Sequence, residues 1–290
     1  MSELLKNTSV IIRSSGERTE GLCRYAIEKN GVPKENIHLI KNEKPFSRAL
    51  KKGYELAIEL NKPYTFFIDA DMVVMEDSLP MMSQIAERLP TNTFFINPLA
   101  YDCFSETILP NGPHLYRTKY LPEALKHIPT EQESKRPETY TTKQMYKNGY
   151  QIVYLDIPTA YHEFEQYYKD IFGRVVNKMQ KAGPARHIRA QMGRVKGEYE
   201  KDNYVIKKAV DFADNNHAAF NLSAGEFDNV FAKQCDIEEK KPIEEKDFDI
   251  LFTRMNHQSR SYVLGGYTVQ LLNNAEEKQS VFKRIIRRLI

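Results

Sequence analysis

The sequence predicts an α/β fold with a mixed, mainly parallel sheet and flanking helices, and three observations support this prediction. Short runs of β-branched and aromatic residues alternate with amphipathic helical patterns in the N-terminal part of the chain. The composition, 41% hydrophobic and 28% charged, is typical of a chain that buries a core. One apolar run, residues 64–68, leads directly into Asp69 and Asp71. Alternating strands and helices predict parallel strands joined by right-handed crossovers.

The N-terminal elements follow the order strand, helix, strand, helix, strand. The first strand covers residues 9–13 and is followed by the polar turn Ser14-Ser15-Gly16 and a helical pattern. A second short strand lies at 37–40, and apolar residues then recur at helical spacing through 46–60. The run 64–68 is the third strand. This order is the opening expected of a nucleotide-binding α/β fold.

Asp69 and Asp71 lie at the C-terminal end of the third predicted strand. Open α/β sheets bind ligands beyond the carboxyl ends of their strands. Alternate residues of an extended segment point the same way, so both carboxylates can face one ligand. Two such carboxylates can hold a divalent cation that bridges nucleotide phosphates. The alternative interpretation is that Asp-x-Asp only begins a turn, where aspartate is common.

The segment after the Asp-x-Asp strand contains further strand, helix and loop patterns. The pattern predicts a strand over 93–97. Residues 128–140 are polar, contain two prolines and are predicted to form a loop of the kind that covers substrates. The remaining patterns are a helix that ends before Gly149, a strand at 151–155 and the pair Tyr161-His162.

This order of elements resembles that of the GT-A glycosyltransferases, in particular glycosyltransferase family two. The resemblance extends from residue 9 to about residue 165. It implies the GT-A architecture, a Rossmann-like fold for nucleotide-diphospho-sugar transfer. The motifs that carry it are Arg48-Ala49-Leu50-Lys51-Lys52-Gly53, the Asp-x-Asp strand, Gly112 to Arg117, Glu138, Gly149-Tyr150 and Tyr161-His162.

The resemblance implies a role for individual residues of this chain. The metal ion, Mn²⁺ or Mg²⁺, would be bound by Asp71 and His162, with Asp69 near the metal or the ribose. Glu138 would be the general base that accepts the proton of the acceptor hydroxyl. The residues expected to bind the nucleotide are Arg13, Ser14, Ser15 and Arg18 at the first turn, together with Asp69.

These positions also have structural interpretations. Arg13 and Arg18 can pair with the nearby Glu17 and Glu20, and His162 can be a structural histidine. The first turn, Arg13-Ser14-Ser15-Gly16, stands where the family usually has Pro-Thr-x-Asn. Glu138 is the only member present of the usual Glu-Asp pair.

The function that the resemblance implies is metal-dependent, inverting transfer of a sugar. The donor would be a nucleotide-diphospho-sugar, and the acceptor a hydroxyl of a glycan or of a lipid-linked molecule, as in polysaccharide biosynthesis. One alternative is a nucleotidyltransferase of related fold. Another is a non-catalytic scaffold at a membrane surface, which the altered first turn and the incomplete acidic pair suggest.

Two domains are expected, a catalytic domain over residues 1–170 and a mainly helical extension over 171–290. The net charge of +3 is too small to predict nucleic-acid binding. Three widely spaced cysteines fit a reducing cytoplasm better than a disulfide framework. The N-terminal residues lack the apolar core of a signal peptide. The expected location is therefore the cytoplasm, at the inner face of the membrane.

The membrane prediction depends on the C-terminal tail, residues 281–290. At helical spacing its apolar residues fall on one half of a helix, and its four basic residues, Lys283, Arg284, Arg287 and Arg288, fall on the other. This pattern is typical of an interfacial helix attracted to anionic lipid. It also fits a terminal helix that docks on its own domain or on a dimer partner.

Deletion of residues 281–290 is expected to reduce sedimentation of the protein with anionic vesicles. Each basic residue near an anionic surface contributes roughly 1 kcal/mol, so the loss should be largest at low salt. Sedimentation with vesicles of neutral lipid is the control. Equal sedimentation of the full-length and truncated chains would exclude the membrane role of the tail.

Overall fold

A computed structural model describes residues 3–104, 107–134, 136–181, 200–216, 224–257, 261–264 and 267–270. The chain divides into two compact units, residues 1–164 together with 243–290, and residues 165–242. The sequence predicts a catalytic domain that ends at residue 170 and a helical extension that follows it. The catalytic role of the first domain stays a prediction. The compact units differ from the predicted division because the chain returns to the first unit at residue 243. The tail at 281–290 lies outside the described residues.

The first unit is built on one mixed sheet. The strands are β1 (Thr8–Ser14), β2 (Ile37–Lys41), β3 (Tyr64–Asp69), β4 (Met72–Val74), β5 (Thr93–Asp102), β6 (Thr107–Leu109), β7 (His114–Arg117), β8 (Gln151–His162), β9 (Ser261–Leu264) and β10 (Tyr267–Gln270). The strand order in the sheet is β10-β9-β6-β5-β7-β3-β1-β2, and β8 pairs with both β4 and β5.

Helices cover the sheet and connect its strands. Those of the first unit are α1 (Glu3–Lys6), α2 (Glu20–Lys29), α3 (Phe46–Leu60), α4 (Ser78–Arg88), α5 (Leu121–Leu125), α6 (Pro137–Lys147) and α10 (Phe248–His257). Those of the second unit are α7 (Tyr168–Lys181), α8 (Glu200–Asn215) and α9 (Ala224–Gln234). None of the helices among the described residues is long and apolar enough to cross a membrane.

The predicted α/β fold of the GT-A type is confirmed. Strands β2, β1 and β3 are parallel neighbours, so their carboxyl ends meet at one edge of the sheet. Strand β7 pairs antiparallel with both β3 and β5, and β5 pairs parallel with β8. This Rossmann-like core brings Arg13, at the end of β1, beside Asp69, at the end of β3.

Three elements differ from the expectation, the first of which is β5, predicted over 93–97 but continuing to Asp102. The polar segment 128–140 is not a loop throughout, because α6 begins at Pro137. Proline is favoured in the first turn of a helix, where its missing N–H is not needed. Strand β8 continues from Gln151 to His162, well beyond the expected 151–155, because both β5 and β4 pair with its C-terminal half.

The core lies on both faces of the sheet, as expected for parallel strands covered by helices. Val10 and Phe66 face one way and pack with residues of α2 and α4. Ile11 and Phe67, their neighbours in sequence, face the other way and pack with α3, α5 and α6. All four side chains are essentially inaccessible to solvent. Apolar residues on successive positions are therefore required at the centre of the sheet.

The regular secondary structure described in the second unit is helical. The apolar residues of α7 from Tyr168 to Met179 are buried. The ring of Phe172 lies 5.8 Å from that of Phe212 and 5.9 Å from that of Phe231, measured between centroids. These three aromatic residues therefore join α7, α8 and α9.

Gly53 explains the Ala-x-x-x-Gly pattern of α3. A Cβ atom at this position would lie 2.5 Å from Cε1 of Phe67 on β3. That ring is 1% exposed and also packs edge-on against Tyr54 and Tyr116. The absence of a side chain at Gly53 therefore lets α3 approach the Asp-x-Asp strand.

Replacement of Gly53 by alanine should lower the free energy of unfolding. Overpacking against the buried Phe67 ring costs roughly 1–3 kcal/mol, partly offset by a gain in helix propensity of about 1 kcal/mol. Denaturant unfolding would measure the difference. Glu55→Ala, at an exposed position of the same helix, is the control and should change stability by less than about 0.5 kcal/mol. A more stable Gly53→Ala variant would contradict this account of the packing.

Candidate active site

The pairing of β4 with the end of β8 places Asp71 beside His162. Met72 is the register partner of His162, and the backbone N–H of Glu163 donates to the carbonyl oxygen of Asp71 at 2.9 Å. Residues that are about 90 positions apart in the sequence therefore meet at the carboxyl edge of the sheet. The predicted partnership of Asp71 and His162 is present in the fold.

His162 lies between two carboxylates. Its Nε2 atom is 3.2 Å from Oδ2 of Asp71, and its Nδ1 atom is 3.2 Å from Oδ2 of Asp102. Burial alone would lower the pKa of His162, but Asp71 and Asp102 raise it to about 9. Asp102 is 1% exposed and ends β5, which pairs with β8 at this point. A carboxylate behind a histidine fixes the ring orientation and the tautomer.

Asp71, His162 and Glu163 form a group that fits a metal ion. One potential ligand atom from each residue lies within 4.8 Å of those from the other two. Two carboxylates and one imidazole form a donor set suited to Mn²⁺, and carboxylates with waters suit Mg²⁺. Glu163 is buried and has a φ of 57°, a left-handed conformation that is uncommon outside glycine. Such backbone conformations concentrate at functional sites.

Arg13 links the two ends of the site. Its Nε atom donates to Oδ1 of Asp69 at 2.7 Å, and its Nη1 atom donates to Oε1 of Glu138 at 3.3 Å. The guanidinium also lies 4.8 Å from the ring centroid of Phe46. Burial alone would lower the pKa of Arg13, but Asp69 and Glu138 hold it above the ordinary value. The alternative interpretation, in which Arg13 pairs with Glu17 or Glu20, is therefore wrong, because its carboxylate partners are Asp69 and Glu138.

Glu138, in the first turn of α6, is surrounded by donors. Its Oε1 atom accepts from the hydroxyl of Tyr116 at 2.7 Å and from Arg13, and it lies 3.1 Å from Nδ1 of His114. Burial alone would raise the pKa of Glu138, but Arg13, His114 and Tyr116 together hold it well below the usual range. Glu138 is therefore ionised at neutral pH, and its carboxylate has a low affinity for a proton.

The turn after β1 approaches the Asp-x-Asp segment. The hydroxyl of Thr19 donates to the carbonyl oxygen of Ala70 at 2.8 Å. Ser14 donates through its hydroxyl to Glu17 at 2.8 Å and also contacts Glu20. The predicted nucleotide residues of this turn thus lie at the same sheet edge as Asp69. Ser15 and Gly16 are exposed, and Arg18 is half-buried.

A cavity of about 390 Å³ lies next to Glu138. Phe95, Ile152 and two tyrosines contribute apolar walls, and polar side chains line the rest. Among the described residues, Asn97 Oδ1 and His114 Nε2 are buried at this cavity without a hydrogen-bond partner. Both residues are 8% exposed.

Sequence reasoning did not identify Asp102 or Glu163 as members of the site. Glu163 directly follows the predicted ligand His162, and this adjacency is a usable signal. Asp102 ends a strand, as Asp69 does, but its relation to His162 depends on the pairing of β5 with β8. His114 lies in the motif Gly112 to Arg117, and the sequence left two interpretations open for it, a contact to the acceptor or a packing residue.

Comparison with known proteins gives similarities at the level of the fold. No protein-family model matches the sequence, and no curated protein matches it. The 1-349 fragment of TarS from S. aureus aligns at 12% identity over 92% of this chain and 97% of that one, with a TM-score of 0.39.

Two further solved structures with similarity to this chain are enzymes that catalyse different reactions from each other. A glycosyltransferase involved in glycosylation of the major capsid of PBCV-1 aligns at 12% identity over 55% of this chain and 94% of that one, with a TM-score of 0.37. A cytidylyltransferase from Leptospira borgpetersenii aligns at 8% identity over 80% of this chain and 99% of that one, with a TM-score of 0.39. Similarity at this level does not identify a reaction, which must be argued from the site.

Replacement of Glu138 by glutamine should destabilise the protein in a pH-dependent way. The pKa of Glu138 is lowered in the folded state relative to about 4.3 in the unfolded chain. The contribution of the Glu138 carboxylate to the free energy of unfolding is therefore complete above the unfolded-state pKa. It is lost as the pH falls toward the folded-state pKa. At pH 7 the variant should lose roughly 1.5–3 kcal/mol of unfolding free energy.

Urea unfolding at several pH values would measure this difference, which should shrink below about pH 4. Glu131→Gln removes an exposed carboxylate and serves as the control. A difference between wild type and Glu138→Gln that does not change with pH would show that the carboxylate charge is not what stabilises the fold.

Proposed function

We propose that this protein is a metal-dependent transferase that moves a sugar from a nucleotide-diphosphate donor to a hydroxyl of a glycan or lipid-linked acceptor. The observation that carries the proposal is the group formed by Asp71, His162 and Glu163 at the carboxyl edge of the sheet. Its position matches the place where open α/β sheets bind nucleotides. Three ligand residues leave positions at the ion for phosphate oxygens.

Asp71, His162 and Glu163 would hold Mn²⁺ or Mg²⁺. The ion supplies a Lewis acid that neutralises charge on the departing nucleoside diphosphate. Asp102 keeps the imidazole of His162 directed toward Asp71, because its carboxylate contacts the opposite ring nitrogen. Charge neutralisation at the leaving group is commonly the largest contribution to catalysis.

The turn after β1 would bind the nucleotide. Ser15 and Gly16 are exposed, which allows a ligand to approach this turn, and Arg18 adds a positive charge. Arg13 holds the Asp69 carboxylate in place through a 2.7 Å contact, so Asp69 is available in a fixed orientation for the ribose. In this proposal Asp69 contacts the nucleotide, and Asp71 is the aspartate that binds the metal ion.

The cavity next to Glu138 would receive the acceptor. Inverting transfer is a single displacement and needs a group that accepts the hydroxyl proton on the acceptor side of the anomeric carbon. The carboxylate of Glu138 and the imidazole of His114 line this cavity and are the candidates for this group. A donor side built on Asp71 and an acceptor side built on Glu138 are the two halves that such a reaction requires.

Nucleotidyl transfer is the second candidate, because the same metal group suits attack on a nucleoside triphosphate. The two reactions release different products. Sugar transfer releases a nucleoside diphosphate, whereas nucleotidyl transfer to a sugar phosphate releases pyrophosphate. Product analysis therefore separates the two reactions whichever sugar the protein uses.

Calorimetry with MnCl₂ and hydrolysis assays with UDP-, GDP-, CDP- and dTDP-sugars would test the proposal. Wild-type protein should bind a nucleoside diphosphate only when Mn²⁺ is present and should hydrolyse at least one donor. Asp71→Asn should abolish both. Asp102→Asn should weaken Mn²⁺ binding roughly 10- to 100-fold, the usual effect of removing a residue that orients a ligand.

The control variant is Asp156→Asn, an exposed aspartate on the same strand as His162. It should behave as wild type. If no nucleotide binds in the presence of Mn²⁺, or if Asp71→Asn behaves as wild type, the proposed function is wrong. Pyrophosphate release from a nucleoside triphosphate and a sugar phosphate would favour the nucleotidyltransferase.

A further inference from the structure

We propose that His114 is the catalytic base, that Glu138 positions it, and that the adjacent cavity binds a hydroxylated acceptor. This inference rests on the proposed function and departs from the assignment of the base to Glu138. It is carried by the cavity, by the unpartnered buried nitrogen of His114 and by the contacts of Glu138.

The cavity has the shape and chemistry of a carbohydrate site. Tyr146 and Tyr154 line it and are each 67% exposed, so their rings are available to a ligand. Phe95 and Ile152 supply apolar surface, and Lys143 and Thr142 add polar groups. A volume of about 390 Å³ falls within the range of small-molecule sites. Aromatic faces combined with a few convergent polar groups suit a sugar ring.

Buried polar atoms at this cavity lack a hydrogen-bond partner among the described residues: Oδ1 of Asn97 and both ring nitrogens of His114, of which Nδ1 lies 3.1 Å from Glu138. Asn97 donates from Nδ2 to the carbonyl oxygen of Pro110 at 3.2 Å, which leaves its Oδ1 atom without a donor. The Nε2 atom of His114 is likewise without a partner. A buried unsatisfied polar group costs roughly 1–3 kcal/mol. Hydroxyl groups of a ligand would donate to Oδ1 of Asn97 and to Nε2 of His114.

The contacts of Glu138 make it a poor base. Its Oε1 atom already accepts hydrogen bonds from Tyr116 at 2.7 Å and from Arg13 at 3.3 Å. These donors hold the pKa of the carboxyl low. General-base efficiency falls as the affinity of the base for a proton falls. Imidazole is the side chain that most often accepts a proton in such reactions.

The geometry of His114 suits this role. Its Nδ1 atom lies 3.1 Å from Oε1 of Glu138, the side on which a proton would face the carboxylate. In the tautomer with the proton on Nδ1, the lone pair is on Nε2. The imidazole also packs against Phe95, with ring centroids 4.9 Å apart and a 66° angle between the ring planes. The ring is therefore held from two sides.

The step is balanced in atoms and charge. The acceptor O–H bond breaks and its proton passes to Nε2 of His114, while the acceptor oxygen forms a bond to the anomeric carbon. The bond from that carbon to the donor phosphate oxygen breaks, and its electron pair leaves with the nucleoside diphosphate. Nδ1 keeps its proton, and the Glu138 carboxylate stabilises the imidazolium that forms.

The test compares His114→Gln and Glu138→Gln with the control His127→Gln. His127 lies 3.2 Å from Glu123, outside the cavity, so the control removes a histidine from a similar His-Glu pair. The assay is hydrolysis of the nucleotide sugar that wild type cleaves, with water as the acceptor, followed by transfer to p-nitrophenyl glycosides. Calorimetry with MnCl₂ and the matching nucleoside diphosphate shows whether each variant is folded.

His114→Gln should lower kcat roughly 10²- to 10⁴-fold, with nucleotide binding unchanged. Glu138→Gln should lose less, because Nε2 remains as the proton acceptor, and His127→Gln should match wild type. Added imidazole should partly restore turnover to His114→Ala, an effect that a purely structural role does not produce. If His114→Gln fails to bind nucleotide, His114→Asn is measured in the same way.

Wild-type turnover by His114→Gln, together with loss of turnover in Glu138→Gln, would assign the base to Glu138 and overturn the inference while leaving the proposed function intact. Absence of imidazole rescue in a folded His114→Ala would also count against it. Absence of Mn²⁺-dependent nucleotide binding in wild type would instead overturn the proposed function, and the inference with it.

Discussion

The arrangement of the site depends on the buried guanidinium of Arg13. Arg13 is 6% exposed and contacts Asp69 from β3 and Glu138 from α6. Removal of one member of a buried charge group leaves the others uncompensated, which typically costs about 3–5 kcal/mol. One cation thus fixes the end of β1, the end of β3 and the start of α6 relative to one another. Gly53 also supports the position of Arg13. It lets α3 pack against the ring of Phe67, and the guanidinium lies over that ring.

The two aspartates of the Asp-x-Asp segment have different partners. Asp69 is paired with Arg13, whereas Asp71, only two residues later, lies beside His162. The separation arises because β4 leaves β3 and pairs with the end of β8. Alternate residues of one strand would face a single ligand, but the chain turns between these two aspartates, so they serve different partners.

Local patterns in the sequence were sufficient to predict the elements of the fold, and non-local pairing explains what they missed. Strands β1 to β3 and helix α3 follow from periodicity, which each segment carries in its own residues. Asp71 and His162 were linked only through the family resemblance. The contact between Asp102 and His162 requires the pairing of β5 with β8, which includes register shifts that no local pattern encodes. The start of α6 was missed because its polar composition resembles that of a loop.

The pairing of Glu138 with Arg13 also bears on how the proposed acid-base and metal chemistry would coexist at one sheet edge. A carboxylate near a divalent cation is drawn to it as a ligand. Arg13 supplies a positive charge that holds Glu138 in place on the acceptor side. A proton that reaches His114 creates a second cation 3.1 Å from this carboxylate, and charges interact more strongly in a buried site than in water. In the proposed mechanism, the ionised Glu138 is therefore more useful as the counter-charge of an imidazolium than as a base, and the same contact that weakens its basicity keeps it away from the metal.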